Sequence, residues 1–260
     1  MARIRSLLKC ITPPFLWSFL RAFLTPRSKY FALSGLDQKL EKYLNYRDGF
    51  YVELGANDGV AQSNTRYFEK EMGWRGVLVE PTPHNYLLCL LNRSPRNKFF
   101  CRACVSFAYR ERFVEIAFSN LMSSPMGLES DIADPLAHAK KGLTFLQEGA
   151  EVFTFGALAE PLSGILDSAQ APFRIDFLSL DVEGAELEVL KGVDHRRHRF
   201  RYICVECRDI DRLSGYLIQH RYEMVEPLSA HDYLFRDTTW SLGDNALMGQ
   251  SSSKKRSNRA

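Results

Sequence analysis

The residues best suited to chemistry lie in the segment Glu53-Leu-Gly55-Ala-Asn57-Asp-Gly59, between a predicted strand and a predicted helix. A turn that leaves the carboxyl end of a parallel strand needs residues without a side chain, both to adopt positive φ and to let a ligand approach the backbone. The spacing of the two glycines differs from the G-x-G-x-x-G fingerprint that holds a pyrophosphate, and no P-loop Lys-Ser or Lys-Thr follows. The turn therefore favours a nucleoside ligand held without a pyrophosphate grip.

Glu80, followed by Pro81, is the second candidate, because the next predicted strand ends there. An acid in this position can accept hydrogen bonds from both ribose hydroxyls, and each charge-assisted bond contributes roughly 1.5–3 kcal/mol when desolvated. The competing interpretation is a solvated loop carboxylate. Together with the glycine turn, Glu80 indicates an adenosine-type cofactor, and S-adenosylmethionine fits better than a dinucleotide. The predicted cofactor-binding residues are Glu53, Gly55, Asn57, Gly59, Glu80 and Pro81.

Asp181-Val-Glu183-Gly184 follows the fourth predicted strand, which lies beside the first across the topological switch point where open α/β sheets bind their ligands. A general base belongs at this edge, and we predict Asp181 first, with Glu183, as the catalytic residues. Glu183 could equally cap the helix that follows. Glu206, at the end of the fifth predicted strand, could share a divalent cation with Asp181, although no further ligand supports such a metal site.

Two cysteine pairs imitate a four-thiolate zinc site: Cys101 with Cys104, and Cys204 with Cys207. Both pairs fall in predicted strands, where residues three apart face opposite sides of a sheet. The two strands would also lie about 19 Å apart in a doubly wound sheet. We therefore interpret these cysteines as buried thiols.

The elements that must position these residues alternate between strand and helix patterns from Phe50 onward. Such alternation is typical of a parallel sheet covered on both faces, so we predict a doubly wound α/β fold. The alternation of strand and helix patterns stops at 107–174, which includes a predicted helix near Phe155–Ser168. So long an interruption is usually a substrate-facing insertion. The predicted strands are Phe50–Leu54, Gly76–Val79, Lys98–Ser106, Phe113–Phe118 in the insertion, Ile175–Leu180, Tyr202–Val205 and two within 222–236.

The net charge of +3 hides an uneven distribution of charge along the chain. Residues 1–36 hold six basic residues and no acid, and residues 245–260 hold four basic residues and no acid. Without those ten, the body has 24 basic and 31 acidic residues, a balance of −7. An acidic body argues against a nucleic-acid-binding domain, which needs a basic face on its folded part.

We therefore divide the chain into a basic, apolar N-terminal arm (1–36), a catalytic domain (37–244) and a disordered basic tail (245–260). Two interpretations of the arm stay open: it packs on the domain, or residues 1–30 make a peripheral membrane contact with anionic headgroups. Pro13-Pro14 and the missing cleavage site argue against a signal peptide, and six cysteines without one suggest a reducing compartment. We expect a cytoplasmic location, with the inner membrane surface as the alternative.

From Phe50 to Arg236 the sequence resembles the FkbM-type methyltransferases. The residues that carry the resemblance are YVELGANDG at 51–59, GWRGVLVEPTPHNY at 73–86, IDFLSLDVEGAELEVLKG at 175–192 and YICVECR at 202–208. The resemblance implies a class I methyltransferase fold, with seven strands in the order 3-2-1-4-5-7-6, the last one antiparallel, and here an insertion between strands 3 and 4. It also implies O-methylation of sugar or polyketide hydroxyls. Family members usually have Asp where this chain has Glu53, and either acid could hold the amino group of the methionine moiety.

The expected activity is methyl transfer from S-adenosylmethionine to a hydroxyl of a sugar, glycan, glycolipid or similar small acceptor. A nucleotide-dependent oxidoreductase is the first alternative, disfavoured by the missing third glycine of the dinucleotide fingerprint. The second alternative is a non-catalytic cofactor-binding or scaffold protein of the same fold. The sequence predicts no nucleic-acid partner, and it leaves the oligomeric state and the identity of the acceptor open.

Overall fold

The computed structural model describes residues 29–146 and 149–240. Most of the predicted arm and the whole predicted tail lie outside the described residues, and the proposed membrane contact of residues 1–30 lies largely there too. The elements given below belong to the unit that begins at Phe31. In the described ranges, no helix combines the length and the apolar character needed to cross a bilayer.

The predicted doubly wound α/β fold is confirmed, and its centre is a seven-stranded sheet with helices on both faces. Read from the edge formed by β3, the order is β3-β2-β1-β8-β9-β11-β10, which is 3-2-1-4-5-7-6 when these seven strands are numbered along the chain. β11 runs antiparallel to both of its neighbours, and the other pairs formed with β1, β2 and β8 are parallel. The strands are β1 (Phe50–Leu54), β2 (Arg75–Val79), β3 (Lys98–Phe100), β8 (Arg174–Leu180), β9 (Arg199–Glu206), β10 (Tyr222–Pro227) and β11 (Asp232–Asp237).

The alternation of side chains along the strands explains why both sheet faces are covered. Val52 and Leu178, paired across β1 and β8, belong to one large apolar core together with leucines of three helices. Phe177 points to the opposite face, where its ring lies 6.2 Å from that of Phe68. The helices are α1 (Leu36–Leu40), α2 (Arg66–Met72), α3 (Pro83–Asn92), α4 (Pro135–Lys141), α5 (Leu162–Ser168), α6 (Glu186–Leu190) and α7 (Ile210–Gln219).

The insertion between the third and fourth strands of the main sheet builds a second sheet of its own. Its strand order is β4-β7-β5-β6, and Val114 and Ile116 of β5 pack in a small separate core. Asp134 caps α4 by accepting a hydrogen bond from the Ala137 N–H. The strands are β4 (Ala103–Val105), β5 (Phe113–Phe118), β6 (Ser124–Pro125) and β7 (Phe153–Pro161), and short 3-10 turns cover Leu33–Gly35, Asn120–Met122 and Gly142–Phe145.

Two predicted elements differ from the structure. The single strand predicted at Lys98–Ser106 is broken after Phe100, because its first part pairs with β2 and its second part with β7 of the other sheet. The helix predicted near Phe155–Ser168 is a strand as far as Pro161 and a helix only from Leu162. In both cases pairing with a strand distant in sequence decided the conformation, which local patterning does not reveal.

Candidate functional site

The carboxyl ends of the parallel strands bring the predicted site residues to one edge of the sheet. Leu54 pairs with Val79 on one side and with Leu180 on the other, and Leu180 pairs with Val205. The residues that directly follow these partners therefore share an edge, as the topological switch-point rule predicts. They are Gly55, Glu80, Asp181 and Glu206, and Asp232 of β11 pairs with Glu206.

A cavity of about 330 Å³ opens at this edge, a size typical of small-molecule sites. It joins the predicted cofactor residues, except Gly59, to the predicted catalytic residues, and the insertion contributes a large part of its wall. The strand ends contribute Glu53, Gly55, Asn57, Glu80, Pro81, Asp181, Glu183, Glu206, Arg208 and Asp232, and the insertion contributes Ile116, Asn120, Leu121, Met122, Ser123, Pro125, Leu128, His138 and Phe145.

Gly55 is required by the neighbouring strand as well as by any ligand. Its φ is +75°, and a Cβ added there would lie 1.9 Å from the carbonyl oxygen of Asp181. Gly59 also has a positive φ, +79°, and a Cβ there would lie 2.7 Å from Cγ of Arg93. Both positions of the turn therefore exclude a side chain for reasons that are internal to the fold.

Beneath the glycine turn lies a buried cluster that we call the arginine network: Arg93, Glu53, Glu69 and Tyr51. Arg93 forms ion pairs with Glu53 at 3.0 Å and with Glu69 at 2.8 Å, and its Nη2 donates to the Tyr51 hydroxyl. Burial opposes the charged form of Glu69, but the charge and donors of Arg93 outweigh it and lower the pKa of that carboxyl. The network therefore holds Glu69 ionised beside one buried cation.

Glu53 has no acceptor capacity left for a ligand within this network. One carboxylate oxygen accepts from the Ser63 hydroxyl and the Asn64 N–H, and the other accepts from the Thr65 hydroxyl and Arg93. Four donors satisfy the two oxygens of a carboxylate. Glu53 thus lines the cavity while it anchors the loop that leads into α2, so any effect it has on a bound cofactor passes through that loop.

Glu80 keeps free acceptor capacity, in contrast to Glu53. Its two oxygens accept one backbone hydrogen bond each, from Asn57 N–H at 2.9 Å and from Thr82 N–H at 2.8 Å. Burial raises the pKa of Glu80, and these bonds oppose the rise. Asn57, with φ of 46°, reaches across to the insertion and donates to the Asn120 side chain. Glu80 can therefore accept further hydrogen bonds, such as those of ribose hydroxyls.

On the other side of the cavity lies a second group of acids, which we call the carboxyl cluster: Asp181, Glu183, Glu206 and Asp232. Burial, followed by the charges of Glu206 and Glu183, raises the pKa of Asp181 well above its usual range. Burial also raises the pKa of Glu206, against the lowering effects of Arg208 and of a hydrogen bond from Asp181. Both carboxyls therefore bind a proton more tightly than ordinary acids do, because each is buried beside other acids.

Glu183 faces the insertion instead of capping the helix that follows it. Its Oε2 lies 2.8 Å from Nε2 of His138 and 3.7 Å from Arg208. Burial and the charge of Glu206 raise the pKa of Glu183 to about 8. Glu186, the first residue of α6, accepts on Oε1 from the Val182 and Gly184 N–H groups of the preceding turn, and no side chain caps α6.

The insertion is fixed directly onto the turn that holds Asp181 and Glu183. The Asp131 N–H donates to the Gly184 carbonyl at 3.0 Å, and a Cβ on Gly184 would lie 2.6 Å from the Ser130 hydroxyl. The Asp131 carboxylate also accepts from the Arg208 N–H at the end of β9. The wall of the cavity is thus tied to two strand ends of the main sheet.

The structure gives no support to metal binding at Asp181 and Glu206. Across the described ranges, no group of three or more His, Cys, Asp or Glu side chains could hold a metal ion. Cys104, Cys204 and Cys207 are free and buried, whereas Cys101 is free and half-buried. Cys104 lies in β4 of the second sheet and Cys204 in β9 of the main sheet, so in the described ranges the zinc-like spacing has no structural counterpart.

Sequence reasoning missed four residues that shape this site: Arg93, Asn120, His138 and Arg208. None belongs to a recognisable local pattern, because each acts through a partner far away in the sequence. Arg93 and His138 are single charged or polar residues at helix ends or on helices, where a solvated position is the ordinary expectation. Only Arg208, two residues after Glu206, was signalled by its closeness to a predicted strand end.

The family model described as the methyltransferase FkbM domain matches residues 53–235, well over half of the chain. The matched range contains the glycine turn, the insertion and the carboxyl cluster. A comparison with curated proteins finds no match.

Several solved structures are similar to this chain at low identity. A provisionally described RNA methyltransferase of Pyrococcus horikoshii is 10% identical, with 79% of this chain and 81% of that chain covered and a TM-score of 0.38. Precorrin-6y C5,15-methyltransferase of Geobacter metallireducens is 14% identical, with 81% and 90% covered and a TM-score of 0.39. A methyltransferase of Geobacter sulfurreducens is 12% identical, with 92% and 97% covered and a TM-score of 0.40. Likenesses this distant add no argument about the acceptor.

Proposed function

The chain belongs to the FkbM methyltransferase family and has a class I methyltransferase fold, and we propose that it methylates a hydroxyl of a sugar, glycan, glycolipid or similar small acceptor. The observation that carries this proposal is the continuity of one cavity from Glu80 and the glycine turn to Asp181 and Glu183. A methyl donor bound at the first end would face an acceptor held at the second. The reaction then needs no group from elsewhere in the domain.

Residues of the glycine turn and Glu80 fit an adenosyl cofactor. Gly55 leaves the backbone of the turn bare where it lines the cavity, and each oxygen of Glu80 has one protein donor and room for another. We assign the ribose hydroxyls to Glu80 and the backbone approach to Gly55, Asn57 and Pro81, whereas Gly59 shapes the turn by its contact with Arg93. Glu53 supports this end of the cavity through the loop that it anchors. When bound, S-adenosylmethionine supplies an electrophilic methyl group on a sulfonium sulfur.

The acceptor end of the cavity is acidic, which bears on the class of acceptor. The carboxyl cluster contributes four acids, and the two arginines among the described lining residues are Arg208, beside the cluster, and Arg102. Phosphate-rich acceptors would meet repulsion there, because binding to nucleic-acid backbones depends on basic side chains. Neutral hydroxyl compounds can donate hydrogen bonds to the same carboxyls. This favours a polyhydroxylated small acceptor over a nucleic acid.

Asp181 and Glu183 are the proposed catalytic residues at this end. Each can bind the acceptor hydroxyl and lower the cost of removing its proton, an effect that typically gives 10²–10⁴-fold. Their alignment of the hydroxyl with the methyl group contributes further, because correct positioning accounts for roughly 7–11 kcal/mol in intramolecular reactions.

Two measurements test the proposal in sequence. Calorimetric titration should detect binding of S-adenosylmethionine and no binding of NAD, since the reverse result would favour an oxidoreductase. Labelled methyl transfer from S-adenosylmethionine into fractionated glycans and lipids of a cell extract should then identify the acceptor class. Cofactor binding without transfer to any fraction would indicate a non-catalytic protein, and labelled RNA would overturn the acceptor class.

Asp181→Asn separates catalysis from binding, because it keeps the shape of the side chain and removes its acidity. Turnover should fall by about 10²-fold or more while cofactor affinity changes little, as expected for a group that acts in the transition state. Asp167→Asn, at the opposite edge of the sheet, is the matched control. Equal losses of thermal stability and cofactor binding, with turnover per loaded molecule retained, would mean that Asp181 only braces the turn. Adding and chelating divalent cations would decide whether a metal takes part.

A further inference from the structure

His138 is a residue of the insertion that reaches the catalytic end of the cavity. It lies on α4 and lines the same cavity as Asp181 and Glu183. Its Nε2 is 2.8 Å from Oε2 of Glu183, a residue 45 positions later in the chain. Both side chains are largely buried, with exposed fractions of 11% and 15%. The contact is thus a partly desolvated imidazole–carboxylate pair facing the acceptor.

The other carboxyl groups that line this cavity are already engaged in interactions with the protein. Glu53 accepts four hydrogen bonds from the protein, and Glu80 is fixed by two backbone N–H groups at the cofactor end. Burial and the charges of Glu206 and Glu183 raise the pKa of Asp181 well above its usual range, so this carboxyl holds its own proton firmly and serves to orient the acceptor hydroxyl. Among the residues that the structure describes here, the Glu183–His138 pair remains able to bind one more proton.

We propose that His138 and Glu183 act as one proton-accepting pair, so that the insertion supplies half of the general base. This inference rests on the proposed methyl transfer. The acceptor oxygen forms a bond to the methyl carbon, and the carbon–sulfur bond breaks with its electron pair left on sulfur. The hydroxyl proton passes to the pair, which changes from an anionic to a neutral state and later releases the proton to solvent. Glu183 orients the imidazole, as a carboxylate does for the histidine in other base pairs.

The charges around the pair agree with this role. Burial, then the charges of Arg208 and Lys141, lower the pKa of His138, while Asp131 opposes them. The imidazole is therefore neutral near pH 7, and the raised pKa of Glu183 makes the pair gain its proton at the carboxyl side. A bound sulfonium cation would favour the anionic, proton-accepting form of the pair. The titratable and charged groups that face the pair are Arg208, Lys141, Asp131, Asp181, Glu186 and Glu206.

The first experiment needs no acceptor. The ring nitrogens of His138, observed by NMR in ¹⁵N-histidine-labelled protein, should show a titration step above pH 7 that reports the proton shared with Glu183. In Glu183→Gln this step should disappear. Added S-adenosylmethionine should move the step to lower pH in the parent protein. A His138 titration that is the same in parent and Glu183→Gln would overturn the pair.

The second experiment measures methyl transfer. The probes are S-adenosylmethionine with a labelled methyl group and the extract fraction that the parent protein labels. His138→Gln retains a hydrogen-bond donor for Glu183, so a structural tie would survive, whereas proton acceptance would not. We expect its rate at saturating cofactor to fall by 10²-fold or more, with the rise of rate at increasing pH lost and cofactor affinity unchanged within twofold. In His138→Ala, added imidazole should restore part of the rate.

His198→Gln is the matched control, because His198 also contacts a carboxylate, Asp167, but at the opposite edge of the sheet. It should behave as the parent protein does. If His138→Gln keeps the parent's rate and pH profile while the parent labels the extract, the pair is overturned and the proposed function stands. If the parent labels no fraction, the proposed function fails, and this inference fails with it.

Discussion

Buried carboxylates occur in two regions that surround the same cavity, and their surroundings differ. In the arginine network, Glu53 and Glu69 share the buried cation Arg93, whose side chain is fully enclosed. In the carboxyl cluster, Asp181, Glu183 and Glu206 lie close together, and the arginine beside them, Arg208, is partly exposed. The pKa of Glu69 is lowered, whereas the pKa of each of these three cluster acids is raised.

This difference in surroundings separates acids that support the structure from acids that can take part in proton transfer. A buried acid with a buried cation and a full set of donors stays ionised and rigid, so it can hold the glycine turn in place but cannot exchange protons. Acids that repel one another without a buried cation keep a proton close to neutral pH, which is the condition for proton transfer. The cofactor end of the cavity is thus built on the first arrangement and the acceptor end on the second.

Removal of Arg93 should have the largest effect on stability. Arg93→Met leaves Glu53 and Glu69 buried without their cation, which typically costs about 3–5 kcal/mol. Chemical denaturation should detect this loss, together with loss of cofactor binding. Arg197→Met is the control, since its pair with Asp167 is exposed and is worth about 0–1 kcal/mol. Similar losses in both variants would mean that the network is not the support of the turn.

Gly55→Ala tests the point where the two regions meet. Its Cβ would lie 1.9 Å from the Asp181 carbonyl, so the positive φ and the overpacking together should cost about 2–4 kcal/mol and disturb both ends of the cavity. Gly127→Ala is a matched control, because Gly127 has a φ of +70° and nothing within 4 Å of an added Cβ. We expect about 1 kcal/mol there. Thermal unfolding and cofactor calorimetry on both variants would reveal whether the close approach or the φ value is decisive.

Glu80 is buried like the acids of the arginine network but has no cation beside it. We expect its charge to strengthen the hydrogen bonds that the ligand donates to it. Glu80→Gln should weaken S-adenosylmethionine binding by tenfold or more, about 1.4 kcal/mol, measured by calorimetry. Glu223→Gln, in an exposed pair with Arg236, should leave the affinity unchanged. An unaltered affinity in Glu80→Gln would return this residue to the role of a loop carboxylate that merely fixes Asn57 and Thr82.

The contributions of the two regions to folding stability should depend on pH in opposite directions. This effect should be smaller than those expected for Arg93, Gly55 and Glu80. Burial raises the pKa of Glu186, beneath the carboxyl cluster, to about 7, so its folded form binds a proton more tightly than its unfolded form. Its contribution to stability is present at low pH and is lost as pH rises through 7, about 1 kcal/mol between pH 6 and pH 9. Glu186→Gln should reduce this fall in denaturation experiments, and part of the fall should remain because the pKa of Glu183 is also raised, to about 8.

The lowered pKa of Glu69 has the opposite sign. Its contribution is present above the unfolded pKa and is lost as pH falls through the folded one, so it affects only the acid side of the stability profile. Glu69→Gln should therefore leave the slope between pH 6 and pH 9 unchanged. A slope that persists in Glu186→Gln and disappears in Glu69→Gln would invert the comparison.

The sequence alone determined the main sheet and the edge at which its chemistry lies. Short apolar runs gave β1 at its exact bounds in 50–54, and β2, β8 and β9 within three residues at each end, because the composition of a run is a local property. The turn residues Gly55, Asn57 and Gly59, and the acids that follow β2 and β8 or end β9, could be predicted for the same reason. Residues that follow parallel strands must meet at one edge, whatever the rest of the chain does.

Only the tertiary structure decided what those residues do to one another. Glu53 has its acceptor capacity filled by Arg93 and the 63–65 loop, which nothing near it in sequence announces. The break of the third strand at Phe100 and the strand before α5 depend on pairing within the insertion sheet. His138 meets Glu183 because the insertion folds back over the 181–184 turn. Hydrogen bonds, burial and charge coupling act through space, so a linear pattern can name the groups but not their partners or their protonation.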